Sequence, residues 1–81
     1  MVSKQNKKIL RNLGSLIHEE RLSNGFSQSD LADKTGLSRY YISSIENGSK
    51  NISLAVLRDI ANALRSKSWR MLKQAEDVKV A

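Results

Sequence analysis

The strongest constraint on this chain is a three-residue joint. Gly36-Leu37-Ser38 separates two short stretches of helical periodicity, 27–35 and 39–47. A glycine suits the left-handed position just past a helix, and a serine two residues later suits the N-cap of the next. A link this short cannot lay two helices antiparallel, so they must cross steeply. Signals for the first helix of the pair are equally local. Ser27 and Asp30 fit a reciprocal capping box, Phe26 is placed as a hydrophobic staple, and Leu31 and Ala32 turn inward. The second helix opens at Ser38, carries Ile42 and Ile45 on its inner face, and stops at Asn47-Gly48.

The rest of the chain supplies helices to hold this pair. Proline is absent and no period-2 run is sustained, so strands are not expected. A first helix is expected over 7–23, with Leu10, Leu13, Leu16 and Ile17 as its stripe and Asn24-Gly25 as its end. A fourth opens at Ser53 and carries Leu54, Leu57, Ile60, Ala61 and Leu64. A short fifth takes Ser68 as N-cap, continues through Trp69, Met71 and Leu72, and fades near Glu76. The expected organisation is an all-α, five-helix domain over 7–75. A flexible basic arm, 1–6, precedes it and a flexible tail, 76–81, follows it.

Composition narrows the chemistry. At 81 residues there is room for one domain and no deep catalytic cleft beside its core. No cysteine is present and there is one histidine, His18. Disulfide scaffolds, cysteine zinc sites and thiol nucleophiles are excluded, and neither a metal site nor a catalytic set can be assembled; no cofactor is expected. Nothing approaches the ~20 apolar residues of a membrane span. Met1–Arg11 lacks the apolar core of a signal peptide, so a cytoplasmic chain is expected. Fourteen Lys and Arg against eight Asp and Glu give a net charge of +6, the electrostatic footprint of a nucleic-acid binder.

At 100° per residue, with Ile42 and Ile45 inward, the outer face of the third helix holds Tyr40, Ser44 and Asn47, with Ser43 near them and Arg39 flanking the first turn. These are hydrogen-bonding groups that are small or flexible, where a solvated helix carries Glu and Lys. Arginine can fork onto the O6 and N7 of guanine in a major groove, and serine hydroxyls donate and accept. The starts of the second and third helices offer backbone N–H groups to phosphates.

The ordered combination Gly14-x-x-Ile17-x-x-x-Arg21, Ser27-Gln28-x-x-Leu31-Ala32, Gly36-Leu37-Ser38-x-x-x-Ile42-Ser43-x-Ile45-Glu46-Asn47-Gly48 and Leu54-x-x-Leu57-x-x-Ile60-Ala61-x-Ala63-Leu64 resembles the phage repressor/Cro-type (XRE-like) helix-turn-helix family. The run from Arg39 to Leu54 looks most like the controller proteins of restriction–modification systems. The resemblance implies a transcriptional regulator that binds double-stranded DNA as a homodimer on a pseudo-palindromic operator. It places Arg39, Tyr40, Ser43 and Ser44 at base-reading positions. Ser27, Gln28, Ser38, Tyr41, Asn47, Ser49, Lys50 and Asn51 fall at or beside DNA-backbone positions. Arg21 and Glu46 match a buried pair tying the first helix to the end of the third. Trp69, Met71 and Leu72 are either the domain's own lid or a dimer seam; the dimer interface is expected, because Trp69 is the one large aromatic anchor there, and no small-molecule effector is expected. An antitoxin or adaptor with the same fold is the alternative. Two departures stand out: His18 lies where family members often have Arg, and Arg65-Ser66 where they often have Gly-Val.

Overall fold

In a computed structural model of the chain, residues 4–77 are described, with the side chains of residues 4 and 5 excepted. Five helices follow in order: α1 Lys4–Ser23, α2 Gln28–Thr35, α3 Arg39–Glu46, α4 Leu54–Ala63 and α5 Ser68–Asp77. No strand occurs among the described residues. α1 packs on α3 and α5, α2 on α3 and α4, and α4 on α5. α1 starts three residues before the expected position and α5 runs to Asp77. Residues 1–3 of the expected arm and 78–81 of the expected tail lie outside the described residues. Among the described residues, no helix is long and apolar enough to cross a membrane.

The boundaries have local causes. At α2, Ser27 Oγ accepts from Asp30 N at 3.0 Å and Asp30 Oδ2 accepts from Ser27 N at 2.8 Å, a complete capping box. The Ser27 backbone hydrogen bond comes first in holding the Asp30 carboxyl below its ordinary range. Gly36 ends α2 at φ 75°, a conformation that costs an L-residue about 1–2 kcal/mol. Ser38 caps α3 through Tyr41 N, and Ser53 caps α4 through Val56 N. α5 differs: Ser68 lies inside its first turn, and the Lys67 carbonyl accepts from Met71 N.

The core is built from Leu13, Ile17, Leu31, Ile42, Ile45, Leu57, Ile60, Ala61, Leu64 and Met71, each nearly or wholly removed from water. Burying a side chain of this size contributes about 1.5–3 kcal/mol. Leu54 departs from the expected stripe: it lies in the first turn of α4 and is 74% exposed. Gly14 sets how closely α1 crosses α3. A Cβ there would sit 2.6 Å from the Glu46 carbonyl oxygen and closer still to that of Ile45.

Candidate nucleic-acid interface

The crossing of α1 and α3 fixes a polar node beside the start of α2. Arg21 Nε donates to Glu46 Oε2 at 2.7 Å and Arg21 Nη2 to Glu46 Oε1 at 3.1 Å. Arg21 Nη1 donates to the Phe26 carbonyl at 2.8 Å, so one guanidinium binds α3 and the loop before α2 together. Gln28 Nε2 adds a bond to Glu46 Oε1 at 3.2 Å. Both charged side chains are almost fully buried. Burial alone would raise the Glu46 pKa, but the hydrogen bonds from Arg21, His18 and Gln28, with the Arg21 charge, outweigh it. The carboxyl is held below its ordinary range.

α3 is thereby anchored by its C-terminal end, and its N-terminal end is left open. Arg39 is exposed and Tyr40 is 77% exposed, an unusual position for an unpartnered aromatic ring. Ser43 is half-buried on the same side. Ser44 is a correction to the helical-wheel reading. It is buried, and its hydroxyl donates to the Tyr40 carbonyl at 3.0 Å. The segment after α3 folds back over it, with Ser49 N and Ser49 Oγ both donating to the Ser44 carbonyl. A wheel reports direction relative to one packing partner, and α3 is covered from a second side by its own exit loop.

The remaining expected backbone residues are spread along the rim of this face. Ser27 and Ser38 occupy caps, with their hydroxyls accepting from their own helices. The Ser27 N–H is also committed, to Asp30, so Ser27 offers no free amide; Gln28 and Ser29, next in the first turn, have none of the intrahelical partners later residues enjoy. Tyr41 is half-buried against the core. Asn47 Oδ1 accepts from Ser49 N at 3.0 Å, which shapes the loop and leaves the Asn47 amide nitrogen without a hydrogen bond among the described residues. Ser49, Lys50 and Asn51 are exposed.

Two contributors escaped the sequence reading. A cleft of about 470 Å³ runs between α1 and the α3–α4 loop, lined by Lys7, Arg11 and Lys50 with Asn47 and Asn51. It holds three cations and no carboxylate. Gly48 lets the walls meet: at φ 77°, its Cβ position falls 2.8–2.9 Å from Arg11 Cγ and Cα. The signal available was the four-residue spacing of Lys7 and Arg11 on one helix face. The second is His18, whose Nδ1 lies 2.8 Å from Glu46 Oε1. Its position three residues before Arg21 put it on the same face.

At the far end, the expected interface residues separate. Trp69 is 62% exposed, with the Arg70 guanidinium 5.7 Å from its ring centre. Leu72 is half-buried against the core. Met71 is a correction: it is fully buried in the core of the domain, because α5 turns Met71 and Ala75 inward, and it has no surface to give an interface.

With this geometry in view, the relatives are consistent. A family model described as helix-turn-helix matches residues 17–72. No relative was found among curated proteins. Among solved structures, the restriction-modification controller protein C.AhdI from Aeromonas hydrophila is 36% identical, over 78% of this chain and 94% of its own, with a TM-score of 0.73. The wild-type controller protein C.Esp1396I is 34% identical, over 83% and 91%, with a TM-score of 0.73. SinR, a master regulator for biofilm formation solved in complex with DNA, is 34% identical, over 74% and 97%, with a TM-score of 0.69. Restriction-modification controllers thus stand among the neighbours of a chain that belongs to the Cro/XRE-type helix-turn-helix family, with the fold of a DNA-binding transcriptional regulator.

Proposed function

We propose that this protein is a sequence-specific transcriptional regulator that binds a pseudo-palindromic operator as a homodimer, in the manner of a restriction–modification controller. The observation that carries this is the outer face of α3. It presents Arg39, Tyr40 and Ser43, while its one carboxylate, Glu46, is turned inward and neutralised. Such a face can enter a major groove without repelling phosphates. Arg39 reads guanine and Tyr40 and Ser43 read its neighbours; Ser44, being buried, acts only by keeping the helix slender.

Register on the duplex comes from phosphate contacts on both sides of α3. Gln28 and the free first-turn amides of α2 lie on one side. Lys50, Asn51 and the Asn47 amide lie on the other, with Lys7 and Arg11 extending the positive surface along α1. Trp69 and Leu72 supply the dimer contact, since an exposed tryptophan beside a half-buried leucine is the composition of an interface core. Two copies then present their α3 helices about 34–36 Å apart, to successive major-groove faces.

Selection from a random duplex library at about 0.15 M salt tests the proposal. The expected result is a twofold-symmetric motif with half-sites about ten base pairs apart, or a multiple of that. Retention of DNA without a motif would reduce the interaction to charge alone and overturn it. Within the motif, Arg39→Ala should lose about 1–3 kcal/mol and relax one base position. Lys50→Ala should weaken all sequences evenly and flatten the salt slope by about one unit.

A further inference from the structure

The polar node contains one group that the proposed DNA contacts do not use. His18 projects from α1 with about half of its side chain exposed. It lines a cleft of about 440 Å³ with Gln28 of α2, Ser43 of α3 and Asn47, the residue that follows α3. Those three residues belong to the face proposed above to meet DNA, so this inference rests on that reading.

The tautomer follows from the partners. His18 Nδ1 is 2.8 Å from Glu46 Oε1 and 3.1 Å from Arg21 Nη2. A carboxylate only accepts and a guanidinium only donates. If Nδ1 carried a lone pair, it would face the carboxylate oxygen at 2.8 Å with no proton between them. Nδ1 therefore carries the proton and donates to Glu46, and Arg21 Nη2 satisfies itself on Glu46 Oε1 instead. In the neutral ring, Nε2 is then a bare acceptor. Nε2 makes no hydrogen bond among the described residues, and about half of the side chain is open to water.

A bare acceptor repels a phosphate oxygen, and a protonated one donates to it. We infer that His18 is a proton-gated DNA-backbone contact: Nε2–H grips a phosphate beside Gln28 when the ring is charged and releases it when the ring is neutral. The charged groups facing the ring are Glu46 from α3 and Arg21 and Glu19 from α1, and α2 contributes only the neutral amide of Gln28. Phosphate binding and proton uptake are then linked, and operator affinity rises as pH falls.

The test is operator affinity from about pH 5.5 to about pH 8. Wild type, His18→Gln and His18→Arg are compared on the selected motif, with thermal melts at each pH to confirm folding. Wild-type binding should weaken by about tenfold toward high pH, the loss of a charge-assisted hydrogen bond. His18→Gln should be weak and flat, and His18→Arg tight and flat. Calorimetry in buffers of different ionisation enthalpy should show proton uptake on binding by the wild type alone. A wild-type profile that is flat, or that runs parallel to His18→Gln, overturns the inference and leaves the operator-binding reading standing. Absence of a motif at every pH removes both.

Discussion

The two ends of this domain handle the same structural problems differently. Around α2 and α3, every reversal is relaxed: serines cap the helices, and glycines take the left-handed positions, as at Gly36 and Gly48. Between α4 and α5 the left-handed position is held by Arg65, at φ 58°, the sole non-glycine residue of that kind among the described residues. Carboxylates show the same contrast. Glu46, at the α2–α3 end, accepts from Arg21, His18 and Gln28. Glu20, which faces Arg70 of α5, has Oε2 buried without a partner. The lesson is that geometry is over-determined where the proposed DNA face is built, and slack remains where a second copy is proposed to dock.

Cutting the node at Glu46 should produce the largest effect. Glu46→Ala leaves Arg21 buried without its carboxylate, beside only the Phe26 carbonyl and the His18 ring, and about 3–5 kcal/mol should be lost in urea denaturation. Glu20→Gln should do no comparable harm, and a loss of similar size there would erase the contrast between the ends. Acid separates the two carboxylates further. The folded-state pKa of Glu46 is depressed by its donors despite burial, so its contribution is present above the unfolded value and fades as pH falls through the folded one. For Glu20, desolvation wins over the Arg70 charge and raises the pKa, so protonation favours the folded state. The two effects fall in adjoining windows. Glu20→Gln should remove a gain in stability that builds as pH falls toward about 4.5, and Glu46→Gln should flatten the loss below it.

A smaller effect, of informative sign, is expected at Gly14. Helix propensity favours alanine over glycine by about 0.5–1 kcal/mol. Here the added Cβ would drive into the Ile45 and Glu46 carbonyls, which are backbone and cannot rotate aside. Gly14→Ala should therefore destabilise, by about 1–3 kcal/mol, as overpacking does. It should also weaken operator binding beyond its cost in stability, because separating α1 from α3 shifts the outer face. A neutral or stabilising result would show that the crossing is looser than the node implies.

Legibility in the sequence divides along the same line. The order of helices, the caps at Ser27, Ser38 and Ser53, and the stop at Gly36 are local signals, and the structure has each of them. What periodicity could not show depends on a third element. Ser44 lies outward on a wheel but beneath the Ser49 loop, and Leu54 continues the α4 stripe yet stays exposed. Met71 reads as an interface residue until α1 and α4 close over α5. The Lys7–Arg11–Lys50 cleft and the His18 contact join residues roughly 30 to 40 positions apart, so no window along the chain holds both sides. On the candidate face, Arg39, Tyr40 and Lys50 sit exposed as the sequence led one to expect.

The smallest and sharpest test concerns Arg65. The end of α4 closes with Ser66 N donating to the Ala61 carbonyl at 2.8 Å and Arg65 N to that of Asn62 at 3.1 Å, the pattern that normally recruits glycine at the second-to-last step. Asn24 Nδ2 also donates to the Leu64 carbonyl at 3.4 Å, so the backbone here is held from outside the helix. The left-handed conformation costs an L-residue about 1–2 kcal/mol, part of which glycine returns through its freer unfolded chain. Arg65→Gly should thus stabilise by about 0.5–1 kcal/mol, while Arg65→Ala, which keeps the Cβ, should change little. If both variants lose stability equally, the arginine side chain is contributing an attraction that outweighs its strain. The slack at this end would then be apparent only, and the contrast with the α2–α3 end would rest on Glu20 alone.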